Sequence, residues 1–220
     1  MKKPDSYPAV LVTLLAATVA CGASSQLPSS PSSAPGAVSV IVALGDSITA
    51  GFGLNPEESY PALLQQRITA EGYRYQVMNA GVSGDTTAGA LRRLDAALVP
   101  DTRILIVAVG ANDGLRRLSP DTVETNLSTI IERAQARGID VLLCTMEALP
   151  IGGFEYTVAF HRIFTRLEDR YHVTRAPFVM VDVVADPNLT LRDRIHPNAA
   201  GARIIADRLW PYLQPMLKKP

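Results

Sequence analysis

Two hydrophobic periods alternate along this chain, and few architectures accept that alternation. Residues 38–44, 75–79, 104–109, 139–145 and 178–182 are short apolar runs rich in β-forming side chains. Most are continuous rather than alternating in polarity, which is the pattern of parallel strands covered on both faces. Between them lie longer segments of helical period. Ser59 stands where a helix cap belongs, with Pro61 in the first turn and Tyr60, Leu63, Leu64 and Ile68 sharing a face. Ser119 and Pro120 open another helix, whose stripe of Val123, Leu127, Ile130, Ile131 and Ala134 runs toward Gly138. A further segment spans residues 154–171, and the last begins near Pro197, in its first turn, and carries Ile204, Ile205, Leu209 and Trp210. Five strand–helix alternations joined by right-handed crossovers predict an α/β fold, a three-layer α/β/α sandwich around a five-stranded parallel sheet. In such sheets ligands bind beyond the carboxyl ends of the strands.

The start of the chain follows other rules. Lys2 and Lys3 precede an uncharged apolar stretch, residues 9–20, that is too short to cross a bilayer as a helix, which takes about 20 residues. A basic tip, a short apolar core and small residues at its end predict a secretory signal peptide over residues 1–20. Thr18-Val19-Ala20-Cys21-Gly22 resembles the lipobox of bacterial lipoproteins, departing from it at Thr18, where an aliphatic residue is usual. That resemblance implies lipid attachment at Cys21, which would become the mature N-terminus and hold the protein to a membrane outside the cytoplasm. Simple cleavage and secretion is the alternative. Residues 22–37 hold six Ser and three Pro and almost nothing large and apolar, so 21–37 reads as a flexible linker.

The remainder, residues 38–220, is a normal length for one domain. Its chemistry is bounded by what it lacks. The whole chain balances 21 basic against 21 acidic residues without a basic block longer than a pair, which argues against a nucleic-acid partner. Cys144 is the one cysteine of the domain, so it has no internal disulfide partner, and its apolar run predicts a buried strand residue. The three histidines are scattered without metal-ligand spacing, and no cofactor or metal is expected. A compact neutral domain of this kind could act as a monomer.

Four segments past the expected strand ends carry reactive or hydrogen-bonding side chains. The first strand runs into Leu44-Gly45-Asp46-Ser47-Ile48-Thr49, which can present the Ser47 hydroxyl to the crevice, although Gly-Asp-Ser alone is ordinary turn chemistry. The second runs into Asn79-Ala80-Gly81-Val82-Ser83-Gly84-Asp85-Thr86, where two glycines permit close approach and Asp85 or Thr86 can cap a helix. The third runs into Gly110-Ala111-Asn112-Asp113-Gly114, which can extend the Asn112 amide across the crevice. Near the end, Asp193-Arg194-Ile195-His196-Pro197 sets a carboxylate three positions before an imidazole, able to hold one ring nitrogen and leave the other free. His161 and His172 read as surface or packing residues.

Taken together, "ALGDSITAGFG", "YPALLQQ", "NAGVSGDTT", "VGANDGLR" and "DRIHPNAAG" closely resemble the block motifs of the SGNH hydrolase superfamily, the GDSL esterases. The likeness covers about residues 40–213 and is strongest to the bacterial multifunctional thioesterase/lysophospholipase and arylesterase branch. Ile48, where leucine is commoner, is the one departure in the first block. The resemblance implies a flavodoxin-like SGNH fold and a serine esterase. Ser47 would be the nucleophile, His196 the base and then acid, and Asp193 its orienting carboxylate. The backbone N–H groups of Ser47 and Gly84 and the amide of Asn112 would form the oxyanion hole. Gly81 would serve loop shape only. The implied partners are small acyl or aryl esters, with thioesters and lysophospholipids in the branch's range. Polysaccharide O-acetyl ester hydrolysis is the runner-up, and a catalytically idle ligand-binding envelope lipoprotein is a reading of another class. Residues 148–154, apolar with paired glycines, suggest a flap at the same rim.

Overall fold

The protein is described by a computed structural model over residues 38–148 and 152–219. The expected signal peptide, Cys21 and the linker lie outside the described residues, as do Leu149, Pro150 and Ile151 of the expected flap.

Strand β1 (Ser39–Gly45) lies between β2 (Tyr75–Gly81) and β3 (Thr102–Ala108), followed outward by β4 (Asp140–Cys144) and β5 (Thr174–Ala176). Every pairing is parallel, in the order β2-β1-β3-β4-β5. The continuous apolar runs follow from this placement. Ile41 to Leu44 of β1 and Leu105 to Val107 of β3 are fully buried, whereas the edge strand β2 keeps several half-exposed residues.

The helices cover both faces. Helix α2 (Tyr60–Ala70) packs on α7 (Ala199–Leu213), while α3 (Thr87–Ala97) packs on α5 (Pro120–Gln135) and α5 on α6 (Phe154–Tyr171). The stripe of Val123, Leu127, Ile130, Ile131 and Ala134 on α5 is buried without remainder, as its period requires. The five-stranded sheet sandwiched by helices is the predicted architecture.

Two local expectations are corrected. The fifth strand is Thr174–Ala176, not residues 178–182. Pro177 follows immediately and lacks an N–H for the ladder, so the chain leaves the sheet. Val179, Met180 and Val183 are still buried, but from a run of turns in which Asp182 takes a positive φ of 59°. Apolarity marked burial there and did not distinguish a turn from a strand. Pro197 likewise precedes α7 instead of sitting in its first turn. It bridges to Thr190, and Asn198 caps the helix, its side chain accepting from the N–H groups of Ala200 and Gly201.

At the carboxyl edge the register aligns Gly45 with Gly81 on one side and Ala108 on the other. Three of the four candidate segments therefore leave the sheet side by side.

Candidate active site

Asp46 caps the short helix α1 (Ser47–Ala50), its carboxylate accepting from the N–H of Ile48 at 3.0 Å. Ser47 is thus the first helical residue, whose N–H has no acceptor inside the helix. The turn is tight. A Cβ on Gly45 would fall 1.9 Å from Thr49 Oγ1, and one on Gly81 would fall 2.2 Å from the Ala50 backbone nitrogen. Gly81 is therefore a contact point where α1 rests on the end of β2, a role the expectation of loop shape missed.

Asp46 is almost fully buried, and burial pushes its carboxyl up to about 6 despite the Ile48 hydrogen bond and the nearby His196. Its Oδ2 has no hydrogen-bond partner among the described residues. In the sequence Asp46 stands in Gly-Asp-Ser, ordinary turn chemistry that gives no sign of its burial.

The loop after β2 holds Gly84 at φ +78°, in open space and favourable to glycine. Thr86, not Asp85, caps α3 through Gly89 N–H at 3.3 Å. Asn112 belongs to the short helix α4 (Ala111–Leu115), entered through Gly110 at φ +132°. Its Nδ2 donates to the Asp85 carbonyl at 2.9 Å. An amide nitrogen carries two hydrogens, so one remains for another acceptor. Next to it Asp113 is fully buried and anchors α4 to α3, accepting from Thr87 N–H at 2.9 Å and from Thr87 Oγ1 at 2.6 Å.

The last segment arrives from across the sequence. Asp193 divides its carboxylate: Oδ1 accepts from the N–H groups of Ile195 at 2.9 Å and His196 at 3.0 Å, while Oδ2 meets His196 Nδ1 at 2.6 Å. Arg194 adopts φ +62° to make this turn, at a cost of about 1 kcal/mol for an L residue. These three hydrogen bonds, the imidazole contact foremost, hold the Asp193 carboxyl down at about 2. The other ring nitrogen, Nε2, lies 2.9 Å from Ser47 Oγ. Phe52, half exposed just past α1, leans on the imidazole with ring centroids 4.5 Å apart.

The structure therefore brings Ser47, His196 and Asp193 into one hydrogen-bonded chain, and sets Asn112 against the Gly84–Asp85 loop. His161 pairs with Glu147 on the surface at 2.6 Å, and His172 ends α6, both apart from this chain. Cys144 is fully buried at the end of β4, where burial pushes its thiol up to about 12. Among the described residues no group of three or more His, Cys, Asp or Glu could hold a metal ion.

Several known proteins are similar to this chain in sequence and in fold. Esterase TesA of Pseudomonas aeruginosa is 37% identical over 182 residues, 82% of this chain and 90% of that protein. Thioesterase 1/protease 1/lysophospholipase L1 of Escherichia coli (strain K12) is 34% identical over 182 residues, covering 82% and 86%. The crystal structure of the psychrotrophic esterase EstA from Pseudoalteromonas sp., inhibited by monoethylphosphonate, superposes with a TM-score of 0.76 at 32% identity over 80% of this chain and 97% of that one. The model of the GDSL-like Lipase/Acylhydrolase family matches residues 43–204. That span runs from within β1 into α7, most of the domain, and the chain belongs to the GDSL-like lipase/acylhydrolase family.

Proposed function

We propose that the protein is a serine esterase that hydrolyses acyl and aryl carboxylic esters through an acyl-enzyme on Ser47. The observation that carries the reading is the 2.9 Å contact between Ser47 Oγ and His196 Nε2, backed by the 2.6 Å contact from His196 Nδ1 to Asp193. Asp193, ionised down to about pH 2, accepts from Nδ1–H and so leaves Nε2 unprotonated and facing the hydroxyl. Nε2 takes the Ser47 proton as Oγ attacks the acyl carbon. The oxyanion is then bound by the N–H groups of Ser47 and Gly84 and the free hydrogen of the Asn112 amide. His196 returns the proton to the departing alkoxide or phenoxide, and water hydrolyses the acyl-enzyme by the same steps.

The apolar rim supports acyl and aryl substrates over acetylated polysaccharide. Phe52, Val82, Leu115, Phe154 and Ile195 are large apolar residues left exposed in segments at the carboxyl edge, Phe154 to 83%. An acyl chain or aromatic ring laid on such surface gains about 25 cal/mol for each Å² of apolar area covered, and a hydroxyl-bearing sugar offers much less apolar area to cover it. Relatives are named esterase, arylesterase and thioesterase/lysophospholipase, which makes thioesters and lysophospholipids the next substrates to try. Hydrolysis of p-nitrophenyl esters from acetate to palmitate, beside an acetylated sugar, tests the reading. Activity that peaks on medium or long chains supports it, and activity confined to the acetylated sugar overturns it.

We also propose that residues 1–20 are removed on export and that Cys21 carries a lipid, with 21–37 as the tether of a domain over 38–220. No helix among the described residues is long and apolar enough to cross a membrane. Cys21→Ser should move the protein from the membrane to the soluble fraction, and an unchanged distribution would reject the anchor.

A further inference from the structure

We propose that Arg93 is a positioning residue that holds the Ser47 turn and the Gly84 loop in one register and so shapes the oxyanion hole; this rests on the esterase reading above. Arg93 lies in α3, outside every motif that marked the site. Its three guanidinium nitrogens reach three separate acceptors. Nε donates to Asp85 Oδ2 at 2.7 Å, Nη1 to the Ala80 carbonyl at 2.7 Å and Nη2 to the Gly45 carbonyl at 2.9 Å. Gly45 is two residues before Ser47, while Ala80 and Asp85 bracket Gly84.

The Asp85 end of this clamp continues to Asn112, whose amide donates to the Asp85 carbonyl at 2.9 Å. Asp85 thus joins the guanidinium to the side chain that would bind the oxyanion. The ends of β1 and β2 and helix α4 meet there. The Arg93 and Asp85 side chains are only 25% and 11% exposed, so their charge-assisted bonds are stronger than those of a surface ion pair. A guanidinium fork can serve three acceptors in one plane. A lysine in its place is a flexible point charge without that geometry. A pair that served stability alone would not need all three bonds to fall on backbone and side chains around the nucleophile turn and the Gly84 loop.

The test measures kcat and KM on p-nitrophenyl butyrate for wild type, Arg93→Met, Arg93→Lys, Asn112→Ala and the doubles of each Arg93 variant with Asn112→Ala, with thermal unfolding in parallel. Both Arg93 variants should lose roughly 10- to 100-fold in kcat with KM held within about twofold, the scale expected when catalytic groups are slightly misplaced. With Asn112 already removed, that loss should be smaller but still measurable, because Arg93 then still positions the Ser47 and Gly84 N–H groups and no longer the amide. Should Arg93→Met fail to fold, Arg93→Lys, which keeps the charge, decides the comparison. An unchanged kcat in a folded Arg93 variant, an equal loss in both backgrounds, or failure of both variants to fold overturns the proposal. A wild-type protein that does not turn over the ester refutes the esterase reading and takes the proposal with it. An active wild type with any of the other results refutes the role of Arg93 alone.

Discussion

His196 Nε2 stands 2.9 Å from Ser47 Oγ although 149 positions separate the two residues. The distance depends on two structures of different kinds. The carboxyl end of β1 delivers Ser47, and a strained turn at Arg194 swings the imidazole inward while Asp193 holds it from behind. Each can be perturbed separately.

Substituting Asp193 by Asn should leave the turn intact, since Asn Oδ1 can still accept from Ile195 and His196 N–H. The amide NH₂ would face Nδ1 and force the proton onto Nε2, the wrong tautomer for a base. We expect kcat to fall about 10²- to 10⁴-fold with little change in unfolding temperature. A variant within about threefold of wild type would show that Asp193 does not set the tautomer.

Asn112→Ala removes one oxyanion donor and should cost about 10²–10³ in kcat. It also removes the hydrogen bond to the Asp85 carbonyl, about 1 kcal/mol of stability. Steady-state kinetics with a parallel melt separates the two effects, and a loss under tenfold would take Asn112 out of the oxyanion hole.

Asp46 makes stability depend on pH in the direction opposite to a salt-bridged carboxylate. Its folded value near 6 lies above the ordinary 3.8, so the native state holds the extra proton between those values. The Asp46 contribution to stability is therefore greatest below about pH 4 and declines as pH rises through 6, by about 3 kcal/mol in all. Asp46→Asn lacks this titration. Urea unfolding of the two proteins at about pH 3.5 and pH 7.5 should show the variant gaining relative to wild type at the higher pH, and a constant difference would contradict the argument.

Gly81 and Gly84 should respond differently to alanine. At Gly81 the new methyl meets the Ala50 backbone at 2.2 Å and must move α1, which costs about 1–3 kcal/mol. At Gly84 the space is open, and the cost is that of a positive φ, about 1–2 kcal/mol, together with a reoriented N–H. Gly81→Ala should melt lower than Gly84→Ala, while Gly84→Ala should fold and lose turnover. Melting curves in the reverse order would refute the close approach of α1 to β2.

Phe52→Ala should loosen the imidazole and strip apolar area from the rim. We expect kcat/KM on medium-chain esters to fall by roughly tenfold, from about 1–2 kcal/mol of lost packing, and by less on acetate. An equal loss on every chain length would confine Phe52 to holding His196.

Much of this was legible in the residues themselves. The stripe on α5 and the apolar runs of β1 and β3 follow from burial alone, and local pattern reports burial well. The same signal failed at residues 178–182, where Val179 and Met180 are buried from turns, because apolarity says that a side chain is inside and not how its backbone runs. Ser47, Gly84, Asn112, Asp193 and His196 were singled out because their motifs follow expected strand ends and resemble those of a known family. Arg93, Asp46 and Phe52 were not found. Arg93 acts eight residues from Asp85 and 48 from Gly45, and the burial of Asp46 exists only once the layers close over it.

The sequence by itself determined the order of strands and helices and the residue types at the end of each strand, since both depend on interactions within a few positions. Only the tertiary structure decided that Ser47 and His196 meet, that Gly81 is a contact and not a loop device, and that one arginine ties the ends of two strands to the loop that receives Asn112. Those relations depend on parallel register and layer packing across long separations, which no local pattern encodes. Ser47 became a nucleophile candidate by its neighbours in the chain, and its partners in space are what equip it to act.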